Sequence, residues 1–432
     1  MARHRGSAAQ RRAWTTAYVV AAVLGVAVPA AGQSPGTTPA SGGTAPSSGP
    51  TASAPGSSGG TTGTRAPRLG PPPPGVVVRP APTVRSWACL RDCAAAAARP
   101  GSVLRLRGRG LRGAAEVVFQ GAPGEVDDVA AAPYRRRRHR LDVRVPLGAA
   151  AGPVVVAVRD GRRSAPAEPV AIEPAAAAAG TPPAVEVQAH APRAFYDAAK
   201  PVAGMYVVRG EPAAHVVVEL VRSKDGAIVS RWEAAGVPAD VPQTLTWDGT
   251  AGGRVQPQGR YAFRAWVQSA GGVQAVSAQA LPDDPAPDPA EFVFLKHVFP
   301  VRGPHGYGEF AASFGGGRGH QGHDVFAACG TPLVAARGGI VKVKQYHGRA
   351  GHYVVIDGEQ TGIDYAYMHL REAALVRVGD RVRTGQLLGY VGDSGSASGC
   401  HLHLELWSAP GWYSGGQPFD PLPSLQAWDK RS

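Results

Sequence analysis

The chain has 432 residues, 44% of them hydrophobic, with 57 glycines, 40 prolines and a formal net charge of +13. That length allows roughly two to four domains and at least one substantial core, which excludes a chain that stays unfolded throughout. The basic balance draws the protein to anionic surfaces.

The first 32 residues carry Arg3, Arg5, Arg11 and Arg12 and no acid, then an apolar run over 17–28, then Pro29-Ala30-Ala31-Gly32. This is a signal-peptide layout. The apolar run is shorter than the roughly 20 residues that span a bilayer. The expectation is therefore a secreted, cell-wall-associated protein, with membrane contact only if 14–31 is retained as an anchor. Outside the cell, wall polymers and lipid headgroups are nearer at hand than nucleic acid, so anionic wall polymers are the expected electrostatic partners. Cysteines number four, as Cys89/Cys93 and Cys329/Cys400. An even count in an oxidising compartment predicts two disulfides.

Residues 33–76 are almost wholly Ser, Thr, Gly, Pro and Ala, ending near Pro71-Pro72-Pro73-Pro74. Such a segment buries too little apolar surface to offset its ordering entropy, so a disordered tether is expected. Over 77–175, short Val-rich runs such as Glu116-Val117-Val118-Phe119 and Val154-Val155-Val156-Ala157-Val158 alternate with turn signals. Period-two alternation with Gly and Pro predicts a β-sandwich. The stretch LRLRGRGLRGAAEVVFQG resembles IPT/TIG immunoglobulin-like domains. The run Arg135-Arg136-Arg137-Arg138-His139-Arg140 reads as a solvated face, with a grip on a polyanion as the sharper reading.

A second sandwich is expected over 183–281. There TLTWDGTAGGRVQPQGRYAFRAWV resembles the Ig-like domain of flagellar hook-capping proteins, with Trp247 as a core anchor and Asp248-Gly249 as a turn. An acidic Pro-rich linker, 282–291, leads to a last domain at 292–425.

In that last domain His320 and Asp324 stand four apart, and GCHLHLELW supplies His401 and His403 two apart. Zinc accepts imidazole nitrogen and carboxylate oxygen, and a catalytic site keeps one position open for water. Two histidines at i and i+2 on a strand share one face. Singly these are weak signals.

Their order and surroundings resemble the lysostaphin/LytM-type zinc endopeptidases over about 120 residues. The matching pieces are Phe314-Gly315 with Arg318, His320-x-Gly322-x-Asp324, Gly330-Thr331-Pro332, Tyr365-x-Tyr367-x-His369-Leu370, Gly379-Asp380-x-Val382-x-x-Gly385-Gln386 and Gly399-x-His401-Leu402-His403-x-Glu405. The resemblance implies Zn2+ held by His320, Asp324 and His403, with His369 and His401 as catalytic histidines at the open position, one taking a proton and the other stabilising the oxyanion. His323 would point away from the site. His347, His352 and Tyr353 read as surface residues, and Glu405 as a group that orients a zinc ligand. A Cys329–Cys400 bridge would clamp the metal-bearing strands. Groove walls are expected at 346–351 and 394–399.

The expected architecture is all-β, with two sandwich modules before an antiparallel-sheet peptidase domain. The expected function is a secreted zinc endopeptidase acting on peptidoglycan as a monomer. The alternatives are a catalytically silent scaffold that activates another wall hydrolase, and a secreted metalloprotease acting on non-wall peptides.

Overall fold

The computed structural model describes residues 79–94, 97–121, 128–173, 180–199, 201–268, 274–276, 287–317 and 319–431. The expected leader, the tether, half of the linker (282–286) and Arg318 lie outside them.

The described residues are nearly all β. In the first module one sheet orders Thr83–Arg91, Val103–Arg109 and Arg140–Arg144, and another orders Val129–Ala131, Ala114–Phe119 and Val154–Val158. Alternate residues turn inward, so Leu104, Leu106, Val117, Phe119, Leu141, Val154 and Val156 form one core between the sheets. Burying these side chains stabilises the sandwich by roughly 2 kcal/mol each. The buried Asp142 carboxylate accepts two bonds from Arg105, at 2.7 and 2.9 Å, which satisfies it without solvent. Cys89 and Cys93 are joined in a disulfide.

In the second module the strands Ile228–Val237, Ala213–Arg222, Gly259–Gln268, Glu291–Leu295 and Arg193–Phe195 make one sheet, faced by Gln243–Trp247, Val202–Arg209 and Ala184–Ala189. Trp247 is buried and packs on Tyr261 and Phe294, while the Asp248 carboxylate accepts the Thr250 amide at 2.8 Å to close the turn. Gly249 has φ +85°, and a Cβ there would meet the Phe294 ring at 2.7 Å, so the turn requires glycine.

Glu291–Leu295 corrects the expected boundary. It pairs with Gly259–Gln268 and runs parallel to Arg193–Phe195, and Ala290, Phe292 and Phe294 belong to this module's core. A last domain starting at 292 would cut through that strand. The Pro-rich composition before it suggested a linker, but the Phe-x-Phe alternation is a strand signature that completes the earlier sheet.

The C-terminal module is built on an antiparallel sheet ordered His305–Tyr307, His323–Ala327, His401–Ser408, Ile363–Leu370, Gly351–Gly358, Gly339–His347 and Arg381–Val382. One face is apolar: Val325, Leu402, Leu404, Leu406, Tyr365 and Tyr367 join the smaller sheet of Pro332–Val334 and Leu387–Tyr390 in one core. The helix Leu422–Asp429 closes this core, with Leu425 buried in it and Trp428 stacked on His297 at 4.9 Å. The domain therefore extends past the expected end at 425.

The second and third modules meet through polar contacts. Arg337 is 1% exposed, lies 4.2 Å from the Tyr196 ring and donates to the carbonyls of Lys296 and Glu359. Asp197 pairs with Arg381 at 3.0 Å, and its carbonyl accepts the Thr384 amide.

Candidate metal centre and active site

The sequence HLHLELW, 401–407, alternates with period two, so its leucines enter the core and His401, His403 and Glu405 share the opposite face. Antiparallel register sets Asp324 opposite His403 and Phe326 opposite His401. His320 reaches the same point from the loop before the Asp324 strand. Gly322 makes the approach feasible, because a Cβ there would lie 2.6 Å from His403 Nε2 and 2.4 Å from the Leu404 carbonyl oxygen.

Ligand atoms of His320, Asp324 and His403 lie within 4.8 Å of one another. Asp324 Oδ1 is 3.3 Å from His320 Nε2 and 2.9 Å from His403 Nδ1. The other ring nitrogens are already occupied. His320 Nδ1–H donates to the Ser313 carbonyl at 3.0 Å, and His403 Nε2–H donates to Glu405 Oε1 at 3.1 Å. Two imidazole lone pairs and a carboxylate oxygen thus point at one another, an arrangement that needs a proton or a cation between them. Without a cation the proton goes to His403: burial would lower its pKa, but the bonds to Asp324 and Glu405 carry it up to about 9. Burial alone would raise the Asp324 carboxyl, yet His320 and His403 hold it far below the usual carboxylate range. A two-imidazole, one-carboxylate set with one side left open fits zinc in type and number.

Glu405 is itself pinned, accepting from Trp407 Nε1 at 2.7 Å and Trp412 Nε1 at 3.1 Å. A carboxylate that fixes the tautomer of a ligating imidazole also raises that ring's basicity.

His369 and His401 lie beside this group, with ring centroids 4.7 Å apart; His369 is 6.0 Å from the His403 ring. Both donate Nδ1–H to backbone carbonyls, of Ser394 and Gly399 respectively, each at 2.8 Å. Each therefore presents the Nε2 lone pair as an acceptor. Burial pushes His369 down to about 4 against the opposing pull of the Ser394 carbonyl, and burial lowers His401 as well, so both are neutral imidazoles at neutral pH. His369 has φ +60°, a left-handed conformation that costs a β-strand residue about 1–3 kcal/mol, held by its amide bond to the Ala350 carbonyl. Cys329 and Cys400 are joined, tying the residue before His401 to the turn after the Asp324 strand.

Other expectations fall differently. His323 is fully buried, near the Tyr307 ring, with neither ring nitrogen hydrogen-bonded. His347 is exposed and His352 half-buried, but Tyr353 is buried against Trp412 and donates to Gln345, which corrects the surface reading. Tyr353 lies on the sheet face opposite Val354 and Ile356, in a small cluster with Val355, Ala366 and Met368 that Trp412 covers. The two expected walls form one: the Ser396 amide donates to the Arg349 carbonyl, and the His352 amide to Ser394 Oγ. On the Asp324 side the loop carrying Trp412 and Tyr413 reaches Gln321, whose side-chain oxygen accepts from the Tyr413 hydroxyl at 2.7 Å. Sequence reasoning placed Ser394 and Gly399 in a groove wall but missed their backbone carbonyls, and it missed Ser313, which also acts through a carbonyl that carries no residue-type signal, and Trp412, whose role depends on a loop folding back.

The model of peptidase family M23 matches residues 318–421. The peptidoglycan DD-endopeptidase ShyC of Vibrio cholerae is 41% identical over 87 residues, covering 20% of this chain and 20% of that protein. The glycyl-glycine endopeptidase ALE-1 of Staphylococcus capitis is 32% identical over 124 residues, covering 28% and 33%. The crystallised catalytic domain of lysostaphin from Staphylococcus simulans shares 28% identity, covering 28% of this chain and 92% of that one, with a TM-score of 0.26. The chain spans about a fifth of the length of the first curated relatives it matches.

Proposed function

Because residues 318–421 form a peptidase family M23 domain, we propose that this protein is a zinc-dependent endopeptidase that hydrolyses peptide bonds of peptidoglycan outside the cytoplasm. The observation that carries this reading is the convergence of His320, Asp324 and His403 ligand atoms within 4.8 Å, flanked by two neutral histidines. Relatives that bear peptidoglycan and glycyl-glycine endopeptidase names support the substrate class. The bonds named for those relatives differ, so the bond cut here is a matter for product analysis.

In the mechanism, His320 Nε2, His403 Nδ1 and an Asp324 oxygen would hold zinc, which supplies an acidified water and a Lewis acid for the scissile carbonyl. The Nε2 atoms of His369 and His401 stand ready to accept the proton lost when water attacks. Once protonated, the same nitrogen donates, toward the oxyanion or the leaving amine, so the pair divides acceptor and donor roles between them. The backbone carbonyls of Ser394 and Gly399 keep both rings in the tautomer that allows this.

The test is release of new amino termini from purified sacculi by the full chain, with and without chelator and added zinc, alongside His320→Ala. Chelator-sensitive release that the variant lacks supports the reading, and mass spectrometry of the fragments names the bond. A zinc-loaded chain that releases nothing from any wall type overturns it in favour of a silent scaffold.

A further inference from the structure

A cleft separates the first module from the C-terminal one. Arg109, Arg112, Arg138, His139, Arg159 and Arg162 line one side, and 303–305 with Asp429 line the other. Its carboxylates are already engaged: Asp160 pairs with Arg162 at 2.6 Å, and Asp429 accepts from Tyr307 at 3.3 Å and faces His305 Nε2 at 3.4 Å. Arg162 also donates to the carbonyls of Arg79 and Pro80, and Arg159 to that of Lys430 at 2.8 Å. Arg109, Arg112 and Arg138 are exposed, and no carboxylate among the described residues forms an ion pair with them.

Behind the cleft the crowding continues. Burial lowers the pKa of Arg193 and of Arg302; Arg159 adds to the shift at Arg193 and Arg193 adds to it at Arg302, while Glu116 opposes it at both.

We propose that this cleft binds a linear, phosphate-bearing polyanion that is not a nucleic acid. The guanidiniums are spread over three separate loops of one module, too many for a single phosphate and suited to a repeating one. Each guanidinium fork matches the two non-bridging oxygens of a linked phosphate, and a phosphate chain repeats that charged pair at every unit. Among the described residues no Phe, Tyr or Trp lines the cleft, so it lacks the stacking platforms that bind single-stranded bases. The catalytic residues already described take no part in this site.

The experiment titrates fluorescein-labelled polyphosphate with the full chain, by anisotropy, across salt concentrations. A cleft triple, R109Q/R112Q/R138Q, is compared with R254Q/R264Q/R377Q, which removes the same charge from exposed arginines elsewhere. The cleft triple is expected to weaken binding at least about tenfold and to flatten the slope of log affinity against log salt by about two, near 0.7 per lost contact. The control triple is expected to stay within about twofold of the parent chain, and both should keep its melting temperature. Equal weakening by the two triples would reduce the site to net charge, and a folded cleft triple that binds normally overturns it. Binding of poly-L-glutamate or oligothymidylate as tightly as polyphosphate overturns the choice of ligand.

Discussion

Two buried polar clusters lie in the C-terminal module, and they use their hydrogen-bonding capacity in opposite ways. Around Arg337 every strong interaction is complementary: the guanidinium donates to the carbonyls of Lys296 and Glu359 and covers the Tyr196 ring. Around Asp324, acceptors face acceptors, with His320 Nε2 and His403 Nδ1 both directed at one carboxylate oxygen. Burial without saturation is costly, so the second cluster is completed either by a proton on His403 or by a cation between the three groups. Complementary burial marks a joint between modules; convergent ligand atoms mark the candidate metal site.

This contrast breaks most decisively at the ligands. His320→Ala should reduce wall cleavage by the full chain to the level of the chelated parent and abolish bound metal by elemental analysis. A variant that keeps both would show that the convergent cluster is structural. His369→Ala and His401→Ala should each lower turnover by roughly 10²- to 10⁴-fold while metal content stays intact. Loss of metal in either would move that residue into the ligand set.

Glu405→Gln removes the charge behind His403 and should weaken metal affinity by about 10- to 100-fold in a chelator competition, with smaller losses in turnover once the metal is saturating. Arg337→Ala, from the complementary cluster, should do the reverse: a stability loss of roughly 3 kcal/mol in denaturant unfolding, because two buried carbonyls lose their donor, with cleavage per folded molecule changed by less than about twofold.

The smallest effect is a pH dependence of the chelated chain. His369 is held down to about 4 in the folded state, against an unfolded value near 6.5. Between those values the unfolded chain binds a proton that the native chain does not, so stability falls as pH drops through that window. His369→Ala should flatten this part of the melting-temperature profile, and an unchanged slope would mean that the imidazole is not held neutral by its surroundings.

How much of this was legible beforehand differs from residue to residue. Period-two alternation in HLHLELW marks a strand with three polar residues on one face and leucines on the other. That is local physics, since successive side chains of a strand must alternate. The same alternation in Phe292-Val293-Phe294 was also visible, but its owner was not. Whether that strand closes the second module or opens the third depends on which edge it pairs with, and Gly259–Gln268 takes it. The loops at 346–351 and 394–399 were legible as groove material, yet their bonding to one another, which makes them one wall, arises from contacts across more than 40 residues.

From the sequence by itself came the β character of the modules, the Asp/His residue types suited to zinc and the even cysteine count, all properties of composition and short-range spacing. The tertiary structure alone decided that Asp324 stands opposite His403, that backbone carbonyls set the tautomers of His320, His369 and His401, and that Trp412 folds back onto Glu405. The physical reason is that strand pairing and loop closure are chosen by the free energy of the whole packed core, whereas alternation and residue type are written along the chain.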